Sequence, residues 1–298
     1  MTATAIAVLG LSDAGKSTWL GSLCDVLETA PAERLTSLEF DGLPDMFREL
    51  RSLRDVLNKG AYPRHTVFSH NSNLSFPLRW KLDGEEKSII LDVSDYSGER
   101  VARLYDKELH TWDAGWEERA SRTRIALLLR ADDIRRLARR TETKASLGVQ
   151  LIAAEHLPVD STAERHPPTA LALIEAMQAM RAWRGVGVGR RSEPSSERVA
   201  VLLTAWDKVN DASRRAGPTA FLEKNAPLLA AWLRSNIRPD DMRVYGLSAT
   251  GGDLGDPLHS KRVQEVGIAS VAYVEMGSPP QQHKDVALPL EWLLSGRP

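Results

Sequence analysis

The feature that most constrains this chain lies ten residues from its start. Residues 10–17 read Gly-Leu-Ser-Asp-Ala-Gly-Lys-Ser, which satisfies Gly-x-x-x-x-Gly-Lys-[Ser/Thr]. Before it, Thr4–Leu9 is a short apolar, partly β-branched run that reads as a strand. After it, Trp19, Leu20, Leu23, Val26 and Leu27 recur at helical spacing until Pro31 stops them. A strand, a glycine-bounded turn and a helix opening near Lys16 together make an anion cradle. Gly10 and Gly15 allow the backbone angles that aim successive N–H groups inward. The helix adds the positive end of its dipole. Lys16 brings a point charge for β- and γ-phosphates, and Ser17 brings a hydroxyl for Mg²⁺. Ser12, Asp13, Ala14 and Thr18 complete the candidate cradle. A bare match of this kind also arises by chance in surface turns, but here the flanking strand and helix meet the context the motif requires. The motif alone does not separate ATP from GTP.

Downstream, strand and helix patterns alternate. Leu43–Lys59 reads as an amphipathic helix with Gly60 past its end. Asn73–Leu82 and Lys87–Asp92, joined by Asp83-Gly84, predict a β-hairpin. Gly98–Asp113 is polar and helical in pattern, Arg124–Leu129 reads as a buried strand, and Asp132–Arg140 as a helix start. Thr169–Trp183 is a helix, Gly185–Glu197 a Gly/Arg/Ser-rich loop, Val199–Thr204 a strand, and Thr219–Ser235 a helix. Arg243–Leu247 is a strand, and Leu288–Leu294 a final helix. The alternation predicts an α/β fold with a mostly parallel sheet covered on both faces, the hairpin adding one antiparallel edge strand.

Further candidate residues follow from strand ends. Residues 89–99 read Ile-Ile-Leu-Asp-Val-Ser-Asp-Tyr-Ser-Gly-Glu. Asp95 would hold a Mg²⁺-bound water and the Gly98 N–H would sense the γ-phosphate. Asp92 is a rival for the metal role, but only Asp95 has the glycine at the right distance. Thr66, in the loop before the hairpin, is the candidate switch threonine for Mg²⁺. Arg64 is a candidate internal arginine finger, weighed against a solvated surface arginine. Val199–Leu203 leads into Thr204-Ala205-Trp206-Asp207, where the Asp207 carboxylate is placed to accept from the N1–H and amine of guanine. Adenine lacks that donor pair and would leave the carboxylate unpaired. Ser248-Ala249 follows the strand at Arg243–Leu247 and offers a backbone N–H to the guanine carbonyl. Trp206 either covers the base or packs in the core, and core packing is preferred.

Carried by these residues, the chain resembles the Ras-like, translation-factor-related branch of P-loop GTPases. Gly10–Ser17 resembles the family's first motif, Asp95–Gly98 its third, Thr204–Asp207 its fourth and Ser248–Ala249 its fifth. The texture Gly60…Pro63…Thr66 and the late Pro289-Leu-Glu-Trp-Leu are similar to the bacterial double-GTPase type associated with conflict and defence systems. The resemblance implies a three-layer P-loop fold and a single domain over 1–298. It also implies insertions at about 31–60 and 131–198 and a C-terminal extension over 251–298. It implies GTP hydrolysis with Mg²⁺, GTP and GDP as ligands, and a protein effector from the same system. Departures matter. Thr204 and Ala205 stand where the family carries Asn and Lys. Glu99 stands where many relatives carry a water-orienting glutamine, and a carboxylate there suits slow or partner-dependent hydrolysis. Asp13 stands where potassium-activated relatives carry Asn, so K⁺ is a candidate cofactor. Two rival readings remain open: a P-loop ATPase, and a pseudo-GTPase scaffold that holds nucleotide without turnover.

Composition narrows the rest. At 298 residues the chain is long enough for a sizeable core, and a net charge of −1 gives no global pull toward nucleic acid or anionic membranes. Its one cysteine, Cys24, permits no internal disulfide, and the seven histidines show no metal-ligand spacing. No run approaches the roughly 18 apolar residues of a membrane span, and the N-terminal residues lack a signal-peptide pattern. A cytoplasmic protein is the expectation. The basic run at 135–140 reads as a solvated helix face.

Overall fold

The computed structural model describes residues 4–29, 31–32, 34–42, 47–63, 75–82, 84–93, 117–118, 120–134, 168–187 and 197–296. The expected helix at 98–113 and most of the insertion 131–198 lie outside the described residues. The strands, in chain order, are β1 (Thr4–Leu9), β2 (Leu38–Phe40), β3 (Ser75–Leu82), β4 (Glu85–Asp92), β5 (Arg124–Arg130), β6 (Arg198–Thr204), β7 (Met242–Ser248), β8 (Tyr273–Met276) and β9 (Gln281–His283). The helices are α1 (Lys16–Thr29), α2 (Arg48–Asn58), α3 (Thr169–Trp183), α4 (Asp211–Asn225), α5 (Pro227–Asn236), α6 (Pro257–Val266) and α7 (Leu288–Ser295).

Among the described residues the strands form one sheet in the order β2-β3-β4-β1-β5-β6-β7-β8-β9. The five central strands, β4 to β7, pair in parallel. β3 runs against them as the sequence predicts, paired with β4 from Ser75↔Asp92 to Leu82↔Glu85. β8 also runs against its neighbour, and the short β2 and β9 extend the two edges. These three short strands carry too few residues to show a period of two in sequence.

The central strands are apolar without interruption because helices bury both faces. Ile6 and Val8 of β1, Ala126 and Leu128 of β5 and Ala200 and Leu202 of β6 point to one side. There they meet Trp19, Leu20 and Leu23 of α1, Leu50 and Leu53 of α2, and Leu290 and Trp292 of α7. The alternate residues, Ala7, Leu9, Leu127, Leu129, Val201 and Leu203, meet Leu173 and Met177 of α3, Phe221 of α4 and Leu229 and Leu233 of α5. The result is a three-layer helix–sheet–helix sandwich.

Helix limits follow local chemistry. α1 ends at Thr29, short of Pro31. Gly60, with φ +69°, follows the Lys59 cap of α2. The single helix expected at Thr219–Ser235 is instead two helices broken at Ala226, where Pro227 opens α5 from its first turn. α4 begins earlier than expected, at an Asn210 cap whose side chain accepts the Ser213 N–H at 3.0 Å, and it kinks at Gly217. α6 was not expected, although Asp256-Pro257 and Gly267 are a start and a stop signal for it. At the end of β5, Ala131–Asp133 forms a 3₁₀ turn in place of the first residues of the helix read at Asp132–Arg140, whose remainder lies outside the described residues.

Two buried carboxylates bind distant segments to this frame. Asp285, fully buried, accepts the Leu35 and Thr36 N–H groups at 2.8 Å each and the Ala287 N–H at 3.0 Å. Glu197, buried beside Arg181 and Arg184, ties the residue before β6 to the end of α3. Asp285→Ala would leave three N–H groups without their acceptor, so urea unfolding should show a loss of about 3 kcal/mol or more. A loss below about 1 kcal/mol would mean that the 34–36 segment is held by something else.

Candidate nucleotide site

The register brings the carboxyl ends of β4, β1, β5, β6 and β7 side by side. From β1 the chain moves to one side to build β2, β3 and β4, then returns to place β5 on the other side. That makes the end of β1 the switch point where α/β sheets open a crevice. The turn after β1 is Gly10–Gly15, and α1 starts at Lys16.

The turn is shaped by contact as much as by angle. Asp13 and Gly15 both take left-handed backbone, with φ +64° and +82°. Alternating left- and right-handed residues turn successive amides toward one side. A Cβ on Gly15 would lie 3.0 Å from Thr204 Oγ1, and one on Gly10 would lie 3.0 Å from Ala14 Cβ and 3.1 Å from the Leu128 carbonyl. Both positions are therefore tight for any side chain, and Gly15 also needs glycine for its angle. Lys16 is 3% exposed, with its ammonium donating to the Gly10 carbonyl at 2.6 Å and the Leu11 carbonyl at 2.8 Å. Ser17 and Thr18 follow, half-buried, in the first turn of α1.

β6 delivers the next group. Thr204 donates its hydroxyl to the Ala14 carbonyl at 2.8 Å, and the same oxygen lies 3.3 Å from the Leu129 carbonyl. Thr204, in place of an asparagine, thus ties the 204–207 turn directly to the glycine-bounded turn. Ala205 is left-handed at φ +52°, which costs an alanine about 1 kcal/mol. That twist sends Trp206 down and Asp207 up. Trp206 is fully buried, packs edge-on against Phe221 at 5.2 Å and lies under Gly246, where a Cβ would meet its ring at 2.4 Å. Of the two roles weighed for Trp206, core packing is the one found. Asp207 stays half-exposed at the edge, where its Oδ1 accepts the Ser248 hydroxyl at 2.6 Å. Ser248 Oγ in turn accepts the Gly251 N–H at 3.0 Å. Ser248 therefore orients the Asp207 carboxylate through its side chain, beyond the backbone role expected of Ser248-Ala249. Ala249 lies buried next to it.

Arg64, Thr66, Asp95, Gly98 and Glu99 lie outside the described residues. Asp92, the rival to Asp95, is buried at the end of β4, with Arg122 Nε 3.7 Å from its Oδ2. Among the described residues no group of three or more His, Cys, Asp or Glu is arranged to hold a metal. Four side chains near these turns escaped the sequence reading. Arg130, at the tip of β5 and paired in register with Thr204, is clamped by Asp132 at 2.7 and 3.2 Å. That bond, with the charges of Asp133 and Asp13, holds the guanidinium even more firmly protonated than usual. Tyr62, Lys208 and Asp253 form a polar chain beside Asp207. None belongs to a spaced motif, and only the tertiary fold brings them together.

A three-layer sheet with a glycine-bounded phosphate turn at its switch point defines a P-loop nucleotide-binding fold. The chain belongs to the Double-GTPase 1 family, whose model matches residues 7–293, and this supports a GTP-binding protein. No curated protein matches the sequence. Among solved structures the chain is similar to Sup35 complexed with GDP, at 13% identity and a TM-score of 0.31. That match covers 84% of this chain and 38% of the Sup35 chain, so this chain spans well under half of that protein's length. It is also similar to the signal recognition particle receptor SRb-GTP/SRX complex from Chaetomium thermophilum, at 12% identity and a TM-score of 0.35, over 90% of this chain and 98% of that one.

The bond between the two turns can be tested without ligand. Thr204→Val keeps the shape but removes the hydroxyl, leaving the Ala14 carbonyl without that donor. Chemical unfolding should report a loss of about 1–2 kcal/mol, with Gly15→Ala costing more. An unchanged Thr204→Val protein would remove this contact from the account of the site.

Proposed function

We propose that this protein is a Mg²⁺-dependent GTPase acting as a nucleotide switch within one domain spanning the chain. The observation that carries the proposal is a polar link across the carboxyl ends of the central strands. Ala14 is bonded to Thr204, three residues before Asp207, and Asp207 is bonded to Ser248. A nucleotide whose phosphates lie in the turn at Gly10–Ser17 would therefore have its base near Asp207.

On this reading the amides of Ser12 to Thr18 and the Lys16 ammonium hold the β- and γ-phosphates. Lys16 would exchange its loop carbonyls for phosphate oxygens. Asp207, pre-aligned by Ser248, accepts from the guanine N1–H and amine, and the Ala249 N–H meets the guanine carbonyl. Ser17, Thr66 and Asp95 supply only oxygen donors, the set Mg²⁺ prefers, and the ion when bound would offset charge developing on the β- and γ-phosphates. Gly98 would report the γ-phosphate, Arg64 would add positive charge to the transition state, and Glu99 would face the attacking water. Water adds to the γ-phosphorus and the bond to the β-phosphate oxygen breaks, giving GDP and phosphate. A carboxylate at Glu99 suits slow turnover that a protein partner accelerates, and a cytoplasmic setting fits this role. K⁺ beside Asp13 is a further candidate ligand, for which the Arg130 charge is the competing cation.

Three measurements test the proposal. GDP should raise the melting temperature clearly more than ADP, and Asp207→Ala should abolish that difference. Single-turnover hydrolysis should be measurable with Mg²⁺ and fall at least about 100-fold in Lys16→Ala. Binding without any turnover, even after Glu99→Gln, would instead mark a pseudo-GTPase, while equal shifts by ADP and GDP would return the ATPase reading. Equal rates in sodium and potassium buffers would assign the charge beside Asp13 to Arg130.

A further inference from the structure

The loop from Ser248 to Asp256, which follows the base-side strand β7, is rich in glycine: Gly251, Gly252 and Gly255. Such a loop has little intrinsic stiffness, so its shape depends on outside ties. One tie is Ser248 to Asp207. A second joins His259 of α6 to the Thr250 carbonyl at 2.8 Å, and a third leads to the end of α2. The Tyr62 hydroxyl donates to Asp253 Oδ1 at 3.0 Å and accepts the Leu254 N–H at 3.2 Å. Asp253 Oδ1 also accepts the Gly255 N–H at 2.9 Å, and its Oδ2 lies 3.5 Å from the ammonium of Lys208, the residue after Asp207. A polar path thus runs from the end of α2, through the base loop, to the residue beside the candidate base reader.

The anchor of this path is firm. Leu57 of α2 packs with Leu254, Val263 and Ile268 in a small apolar cluster beneath it. Ser260 of α6 donates to the Gly60 carbonyl at 2.9 Å, Gln264 donates to the Lys59 carbonyl at 3.0 Å, and Asn58 accepts the Ile268 N–H at 2.8 Å. A Cβ on Gly60 would lie 2.2 Å from Ser260 Oγ, so α2 ends directly against α6. Tyr62 is 42% exposed; partial desolvation, with Asp253 beside it, pushes its hydroxyl up to about 12.

We propose that Tyr62 is a positioning residue for base recognition: through Asp253 and Leu254 it sets the loop after β7 against the turn that carries Asp207. The proposal rests on the guanine reading above and adds to it a residue from the segment that follows α2. A hydroxyl that merely stabilised the fold would affect all nucleotides alike. A hydroxyl that shapes the base pocket affects those that use Asp207 fully.

The test compares GDP, inosine diphosphate, which lacks the exocyclic amine, and ADP by calorimetric titration. Tyr62→Phe, which keeps the ring, should weaken GDP about tenfold and inosine diphosphate less, narrowing the preference between them. Asp253→Asn should do the same, and the double variant should be no worse than either single one, because both act on one path. Unchanged GDP affinity in Tyr62→Phe, an equal fall for all three nucleotides, or additive losses in the double variant would overturn the proposal while leaving the guanine reading intact. Wild-type protein that does not prefer GDP over ADP would overturn both.

Discussion

The site depends on one short hydrogen bond made in a crowded place. Thr204 at the tip of β6 reaches across to the Ala14 carbonyl at 2.8 Å while touching the Leu129 carbonyl of β5 at 3.3 Å. That single hydroxyl joins three consecutive strand ends. It is close enough to Gly15 that a Cβ there would lie 3.0 Å from it. Hydrogen bonds of this kind are modest in net energy, but leaving a buried partner unsatisfied is costly. The geometry of the phosphate turn and of the Asp207 turn is therefore shared rather than set separately.

α2 and the C-terminal residues pack into the same helical layer as α1. α2, inside the insertion, covers α1 with Leu50 and Leu53, and its last residues lock onto α6. Asp25 of α1 accepts from Asn58 at 3.0 Å and from the Ala269 N–H at 2.9 Å, so three distant segments meet at one carboxylate. The C-terminal extension closes the same layer: Trp19 donates to the Val286 carbonyl at 3.1 Å, and Trp292 joins the core. Carboxylates and indoles binding backbone groups of far-off segments suit such joints, because they are directional where hydrophobic contact is not.

Much of this was legible in the chain itself. The turn at Gly10–Gly15 was legible because its motif leaves little freedom: two glycines, a lysine and a serine at fixed spacing between a strand and a helix. Central strands were legible because burial on both faces makes them continuously apolar, and α3 was found at its observed limits, Thr169–Trp183. β2, β8 and β9 were not, since three or four residues cannot establish a period. The break at Ala226 was missed because the apolar spacing runs on across it, although Pro227 marks it.

The sequence by itself determined the P-loop fold class and the sheet at its centre, because both depend on local pattern: glycine-bounded turns need particular residues, and layered sheets need particular periods. It also supplied Asp207 as a candidate, from its place after a strand. Only the tertiary structure decided what holds that carboxylate, namely Ser248 on one side and the Lys208–Asp253–Tyr62 path on the other. Those partners are up to 191 residues apart in the chain, and a hydrogen bond between them leaves no periodic trace in sequence. It exists only when packing has brought their strands and helices to the same end of the sheet.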